Sequence, residues 1–527
     1  MNKIAIVGGG TSGWFTAAAI AKNLPEVDLT LIESSDIPTI GVGESTIQSI
    51  RLFFDECLGI DVHDFLKEVD GTLKVSIAFS NFSNQLKKFQ YPFGDVLLHN
   101  QQLLFSTDEY ENVCLQESDL SFIDLLNYGN DNSLFAEYNK LPVPQNSEDY
   151  LLFTKNCAFH FDASKMAIFL KNKFCSNIKH IQATITEDQI EVDEDGIQSI
   201  HLNDGTEITA DLFIDCTGFK SLLLEKKLGV SFNNFDFLVN DSAIAARIPY
   251  QNEIEQKEKI HNTTLCTAVE EGWTWEIPLW NRLGAGYVYS SQFTSREKAE
   301  LDFRDQFNWT GPVNYISFRH GFHEKMIYKN VAAIGLSYGF IEPLESTGLV
   351  TTHNNIMLLL DEIMKNRSSS FLNSISKEGI NGHSTSVIRG FADFVFTHYV
   401  LTNKDHNAYW KHMTQKAFYS HPNSDVYVNS LNKTIPYNGG NIIISRENLG
   451  PYCISKGFNP VDFNFFSKFS LKIVKEFDQL FSNNNYYSYL KAIASEVRNH
   501  TSMRKKQILD SKDFVSTYDY LKNEFYT

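Results

Sequence analysis

The chain has 527 residues, 64 Asp and Glu against 46 Lys and Arg, a formal net charge of -18, and 43% hydrophobic and 21% charged residues. The acidic balance repels phosphate backbones and anionic lipid, which argues against nucleic acid and membrane surfaces as partners. The apolar content excludes disordered, collagen-like and small disulfide-framework classes, and the length leaves room for about three domains at roughly 150 residues each.

The chain opens on Ile4-Ala5-Ile6-Val7, a short apolar run that stops at glycines, as a buried strand does and a secretory leader does not. No segment carries the roughly 18 apolar residues of a membrane span. The seven cysteines are scattered, odd in number and without a CxxC pair. Free thiols, no metal site and a cytoplasmic location are therefore expected.

Gly8-Gly9-Gly10-Thr11-Ser12-Gly13 follows the first run, then the helical stretch Trp14 to Ala21 and a second strand, Asp28 to Ile32, closing on Glu33. Strand, glycine turn, helix, strand and terminal acid make one βαβ unit of dinucleotide-binding type. Gly8 permits the tight turn, Gly10 lets backbone approach a pyrophosphate, and Gly13 lets helix and strand pack closely. The pyrophosphate would sit on the helix N-terminus near Thr11 and Ser12, with Glu33 accepting from a ribose hydroxyl. The motif leaves FAD and NAD open. Ala210–Asp215 and Asn330–Ser337 read as further buried strands ending in glycine-containing turns, so the nucleotide domain is expected to be discontinuous. Its expected segments are 1–85, 150–225 and 325–365. An inserted substrate-binding region would occupy 86–149 and 226–324, and a mainly helical part 366–527. The expected class is α/β, an FAD-binding Rossmann-like domain with an inserted region and a helical C-terminal part.

Leu73, Val75, Ile77 and Phe79 alternate with Lys74, Ser76, Ala78 and Ser80, a strand with one apolar face. By this pattern alone Lys74 reads as a solvent-facing lysine on an amphipathic strand.

Several blocks resemble the flavin-dependent halogenases of the tryptophan-halogenase-like family. They are the Gly8–Trp14 run, Gly41-Val42-Gly43-Glu44-Ser45-Thr46, His160-Phe161-Asp162-Ala163, Asn240-Asp241-Ser242-Ala243, Trp273-Thr274-Trp275-Glu276-Ile277-Pro278 and Phe340 to Gly348 with its Pro-Leu-Glu-Ser-Thr-Gly core. The resemblance implies an enzyme in which FADH2, O2 and halide give hypohalous acid. That oxidant would pass through a tunnel to a lysine beside an aromatic substrate. A separate reductase would supply the reduced flavin. No second βαβ unit for NAD(P)H is visible, in agreement.

Carried onto this chain, the resemblance implies Lys74 and Glu345 as the catalytic pair. Lys74 would activate the oxidant by hydrogen bonding or as a haloamine, and Glu345 would accept the proton lost from the ring, although Glu345 also suits a helix cap. Gly8, Gly10, Thr11, Ser12, Gly13, Glu33, Val42, Gly43, Glu44, Gly335 and Leu336 would hold FAD. Thr347 and Gly348 would hold halide, and Trp273, Trp275, Ile277, Pro278 and Ser346 would line the tunnel. Phe93 would stack on the substrate, with Glu476, Phe481 and Asn485 near it. Gln48 stands where proline is common in the family and Tyr91 where histidine is usual. Phe481 replaces a tryptophan and Phe469-Ser470 a tyrosine pair that clamps the amino acid carboxylate. The expected substrate is accordingly an indole, phenol or similar electron-rich arene other than free tryptophan. A flavin-dependent aromatic monooxygenase and a non-catalytic FAD-binding protein on the same scaffold are the alternatives, and a homo-oligomer is left open.

Overall fold

A computed structural model describes residues 2–37, 41, 43–82, 88–93, 98–99, 102–103, 131–366, 372–400, 404–416 and 499–526. The chain forms two compact units. The first joins Met1–Gly71, His160–Phe235 and Ile316–Arg389, and the second joins Thr72–Phe159, Asp236–Tyr315 and Gly390–Thr527. Val42, Glu476, Phe481, Asn485 and the helix expected from Tyr486 to Val497 lie outside the described residues.

The first unit is organised on a six-stranded sheet in the order Lys179–Gln182, Asp28–Glu33, Lys3–Val7, Leu212–Asp215, Val331–Ala333, Ile327–Tyr328. Every pair is parallel except the last. The central strand is Lys-Ile-Ala-Ile-Val, with Ile4 to Val7 all buried, the continuous apolar run of a parallel strand covered on both faces. One neighbour, Asp28–Glu33, follows it directly in the chain, and the other, Leu212–Asp215, comes from a separate segment of the unit. The helix Thr11–Asn23 buries Ala17, Ala18 and Ala19, whose small side chains let it lie close to the helices Ala163–Phe174 and Gly348–Lys365. Asp162, from the His-Phe-Asp-Ala block, caps the helix Ala163–Phe174 by accepting from the Ser164 and Lys165 amides.

In the second unit the strands Lys88–Pro92, Ser76–Ser80, Thr263–Val269, Gly272–Pro278, Arg282–Tyr289 and Ser242–Pro249 lie side by side in that order. They are antiparallel except where Ser76–Ser80 meets Thr263–Val269. Asn240 stands just before the last of them and is buried between two tyrosines, donating to Tyr399 Oη at 3.0 Å and accepting from Tyr409 Oη at 3.1 Å. Toward the C-terminus the helices Ser374–Val400, Ala408–Lys411 and Thr517–Phe525 are described. A short strand, Phe514–Ser516, also pairs with Lys140–Pro142, an element the helical reading did not anticipate.

Cys57, Cys157, Cys175, Cys216 and Cys266 are free and buried. Burial pushes the Cys57 thiol up to about 11 and the Cys175 and Cys216 thiols up to about 12, leaving them protonated and unreactive at neutral pH. Among the described residues no helix is long and apolar enough to cross a membrane.

His353, on the helix Gly348–Lys365, is buried and stacks on Phe53 with ring centroids 5.7 Å apart. Neither of its ring nitrogens has a hydrogen-bond partner among the described residues. Burial in this apolar slot pushes the imidazole down to about 3, so it is neutral in the native protein. An unfolded histidine takes up a proton near pH about 6.5, which the native site refuses, so stability falls as the pH drops from there toward about 3. His353→Phe, which keeps the ring, is expected to remove about 1.4 kcal/mol per pH unit of that acid dependence between about pH 6 and 4. Urea midpoints across that range measure the slope.

Candidate active site

The glycine turn after the first strand is shaped by backbone contacts. Gly8 has φ +112°, and a Cβ there would lie 2.1 Å from the Cys216 carbonyl oxygen. A Cβ on Gly13 would lie 1.9 Å from the Gly8 carbonyl oxygen, so this helix and this strand meet only if residue 13 has no side chain. Gly10 differs: a Cβ there would meet nothing within 4 Å. Gly10 is the N-cap of the helix Thr11–Asn23, no side chain caps that terminus, and its first turn holds no acidic residue. Exposed amides at the positive end of the helix dipole, beside open space, fit a pyrophosphate. Glu33 ends the second strand, and its Oε2 lies 1.7 Å from where a Gly9 Cβ would be, so the carboxylate lies directly over the turn. Gly335, at φ +73°, opens the short turn Gly335–Ser337 that also holds Leu336, and it packs against Ser12, where a Cβ would lie 2.7 Å from the serine Cβ. The described residues therefore fit a dinucleotide such as FAD.

The segment with Gly43, at φ +144°, and Glu44 is fixed beside the same turn, Thr11 Oγ1 donating to Glu44 Oε1 at 3.0 Å. Burial pushes the Glu44 carboxyl up; the Thr11 hydroxyl opposes this and the nearby Asp162 charge adds to it. Ser45 and Ser346 join hydroxyls at 3.0 Å, tying this segment to the Pro-Leu-Glu-Ser-Thr-Gly turn. In that turn Glu345, Ser346 and Thr347 are all buried, and Ser346 sits at φ +56°, a left-handed conformation that a non-glycine residue adopts at a cost of about 1–3 kcal/mol. Its amide donates to the Pro343 carbonyl at 3.0 Å. Thr347 is the N-cap residue of the 18-residue helix Gly348–Lys365, and its buried hydroxyl makes no hydrogen bond among the described residues. A Cβ on Gly348 would meet nothing within 4 Å, and the first turn holds no acidic residue. An unengaged hydroxyl and free amides beside open space suit a small anion. Glu342 is fully buried, 3.7 Å from His320.

Lys74, in the second unit, is not solvent-facing: its exposure is 0%. The expected continuous strand is interrupted at Val75, giving strands Thr72–Lys74 and Ser76–Ser80. The Val75 amide donates to the Asn262 carbonyl and its carbonyl accepts from the Phe93 amide, each at 2.8 Å. The Lys74 Nζ lies 5.3 Å from the centre of the buried Phe93 ring, within range of a favourable cation–π contact. Thr72 Oγ1 donates to the Pro278 carbonyl at 2.7 Å, which ties the lysine strand to the end of the Trp-Thr-Trp-Glu-Ile-Pro strand. On that strand Trp273, Trp275 and Ile277 share one buried face, with the two indole rings 6.0 Å apart. Gly286, opposite Trp275 in the register, leaves room for that indole: a Cβ would lie 2.1 Å from its ring.

Two asparagines that sequence reasoning passed over complete this frame. Asn132 Nδ2 donates to the Phe93 carbonyl at 2.9 Å and to the Asn156 carbonyl at 2.8 Å. Asn262 Nδ2 donates to the Phe135 carbonyl at 3.0 Å. Single asparagines in polar stretches carry no periodic signal, so only the three-dimensional contacts reveal them. The predicted residues thus gather as a dinucleotide cradle and anion-suited turn in the first unit, and as a lysine, a stacking ring and a paired-indole strand in the second.

The sequence matches the family described as tryptophan halogenase over residues 3–507. It is 34% identical over 428 residues to the 7-chloro-L-tryptophan 6-halogenase KtzR of Kutzneria sp. (strain 744), covering 77% of this chain and 80% of that one. It is 33% identical over 442 residues to the tryptophan 6-halogenase SttH of Streptomyces toxytricini, covering 79% and 81%. Among solved structures, apo VirX1 superposes with a TM-score of 0.84 at 32% identity, covering 100% of this chain and 99% of that one. The Streptomyces toxytricini SttH structure gives 0.77 at 27% identity, with 99% of each chain covered. The chain belongs to the tryptophan halogenase family and is a flavin-dependent halogenase.

Proposed function

We propose that this enzyme uses FADH2, delivered by a separate flavin reductase, with O2 and halide to halogenate an electron-rich indole or phenol other than free tryptophan. The observation that carries the reading is the burial of Lys74 with its Nζ 5.3 Å from the Phe93 ring. A buried lysine without a task is rare, because an ammonium removed from water is destabilising unless other groups replace the water. The bound flavin, with O2 and halide, supplies hypohalous acid.

The chain's own residues do the rest. The Gly8–Gly13 turn and Glu33 bind the cofactor, and Thr347 with Gly348 holds the halide. Trp273, Trp275, Ile277 and Pro278 in the second unit, and Ser346 in the first, would keep water from the oxidant. The Lys74 ammonium donates a hydrogen bond to the oxygen of the hypohalous acid, making its halogen more electrophilic. As the ring carbon bonds to halogen, the halogen–oxygen bond breaks and the departing oxygen takes a proton from the Lys74 ammonium, so that it leaves as water and the lysine is left as a neutral amine. Glu345 then takes the proton from that carbon and restores aromaticity. Phe93 holds the flat ring by stacking.

Incubating the protein with FAD, a flavin reductase, halide and an arene panel should give products with the mass and isotope pattern of added halogen. Lys74→Ala is expected to lose product by about 100-fold or more and Glu345→Gln by about 100-fold, both with unchanged FAD affinity. Normal halogenation by Lys74→Ala, or an oxygenated product independent of halide, would overturn the assignment.

The cradle is tested separately. Gly10→Val is expected to weaken FAD binding by about tenfold or more while leaving the melting temperature of the cofactor-free protein unchanged, since its side chain enters open space. Gly13→Ala is expected to lower that stability by about 1–3 kcal/mol through its clash with the Gly8 carbonyl.

A further inference from the structure

We propose that His180 is a positioning residue for the cofactor, holding the Glu33 carboxylate so that it accepts from the ribose of the FAD adenosine; this rests on the flavin reading given under Proposed function. His180 lies on the edge strand Lys179–Gln182, paired in parallel with Asp28–Glu33 so that His180 faces Leu31 and Gln182 faces Glu33. Side chains two residues apart on a strand share a face, so His180 and Glu33 are diagonal neighbours on one side of the sheet. Both are mostly buried, with His180 16% and Glu33 24% exposed at the side chain.

The ring's hydrogen bonds determine its tautomer. The Lys171 ammonium, on the helix Ala163–Phe174, lies 3.1 Å from His180 Nδ1. An ammonium can only donate, so Nδ1 accepts and carries no proton. The proton is then on Nε2, which lies 2.8 Å from Glu33 Oε1 and donates to it. The Trp14 indole meets the imidazole edge to face at 5.3 Å, and the Lys171 ammonium lies 5.8 Å from the same indole, so the ring is oriented from a second side. One carboxylate oxygen is thereby occupied. The other, Oε2, lies over Gly9, beside the open space at Gly10, and takes no hydrogen bond among the described residues. A carboxylate anchored through one oxygen and lying over the turn through the other is a preorganised acceptor for a ribose 2′-hydroxyl.

The test compares equilibrium binding of FAD and of its 2′-deoxyadenosine analogue by flavin fluorescence. The wild-type protein is expected to prefer FAD by about tenfold, the size of one hydrogen bond to a charged group. His180→Phe keeps a ring against Trp14 but has no donor, and its preference is expected to shrink to about twofold. His180→Gln, whose amide nitrogen can stand near Nε2, is expected to retain most of it. If His180→Phe weakens both ligands equally and keeps the ratio, or if the wild type binds FAD with no preference for the ribose hydroxyl, the role of His180 is overturned. A wild-type protein that binds no FAD overturns the flavin reading itself.

Discussion

Keeping an ammonium inside a protein is the constraint around which the second unit is arranged. Removing such a charge from water costs several kcal/mol unless other groups take the place of the water, and at Lys74 the exposure is 0%. The Phe93 ring offers its face to the cation, and that ring is held through its own backbone, the amide by Val75 and the carbonyl by Asn132. Thr72 and Asn262 fix the lysine strand on either side. None of these polar groups is a carboxylate. They are neutral amides, a hydroxyl and backbone groups, each engaged with a carbonyl or an amide. Such a frame sets where the nitrogen sits. Arginine at position 74 would bring a larger, planar, fork-shaped donor into a slot built for a single ammonium.

Not all of this was legible from residue order, and the difference is physical. The βαβ unit was readable because its determinants are local: the glycine spacing and the terminal acid lie within Gly8 to Glu33, and Gly8, Gly9 and Gly13 pack against one another, Glu33 and the Cys216–Thr217 backbone. The discontinuous parallel sheet followed from apolar runs that need cover on both faces. The burial of Lys74 was not readable from its strand, since a period of two tells which residues share a face and says nothing about what covers that face. Lys74 and Ser76 flank Val75, and both are as buried as the apolar residues they alternate with. The same limit hid Asn132 and Asn262, whose partners lie 39 and 127 residues away. It also hid His180, which reaches Glu33 only because two strands 147 residues apart pair in parallel.

The Ser346 conformation shows how the anion-suited turn is held open. A left-handed serine is unfavourable, and here its amide bonds to the Pro343 carbonyl and its hydroxyl to Ser45. The reversal at Ser346 lets the helix begin at Gly348 with Thr347 as its N-cap residue and its hydroxyl unengaged among the described residues. A relaxed residue at 346 would free the chain to continue in ordinary helical or extended form, and the helix would no longer start at the same place. The strain is therefore spent on where the helix dipole begins.

That placement matters because the molecule as a whole repels the ion it is proposed to hold. With a formal net charge of -18, the protein disfavours the approach of halide at long range. At physiological ionic strength this field is screened beyond about 8 Å, so affinity depends on the groups in direct reach. At Gly348 those groups are the amides of an 18-residue helix, carrying about half a positive charge, with no acidic residue in the first turn to cancel it. Bulk acidity and the proposed halide site are therefore compatible: the acidic surface keeps polyanions away, while a short-range dipole with no acidic residue in its own first turn suits a monovalent ion small enough to reach it.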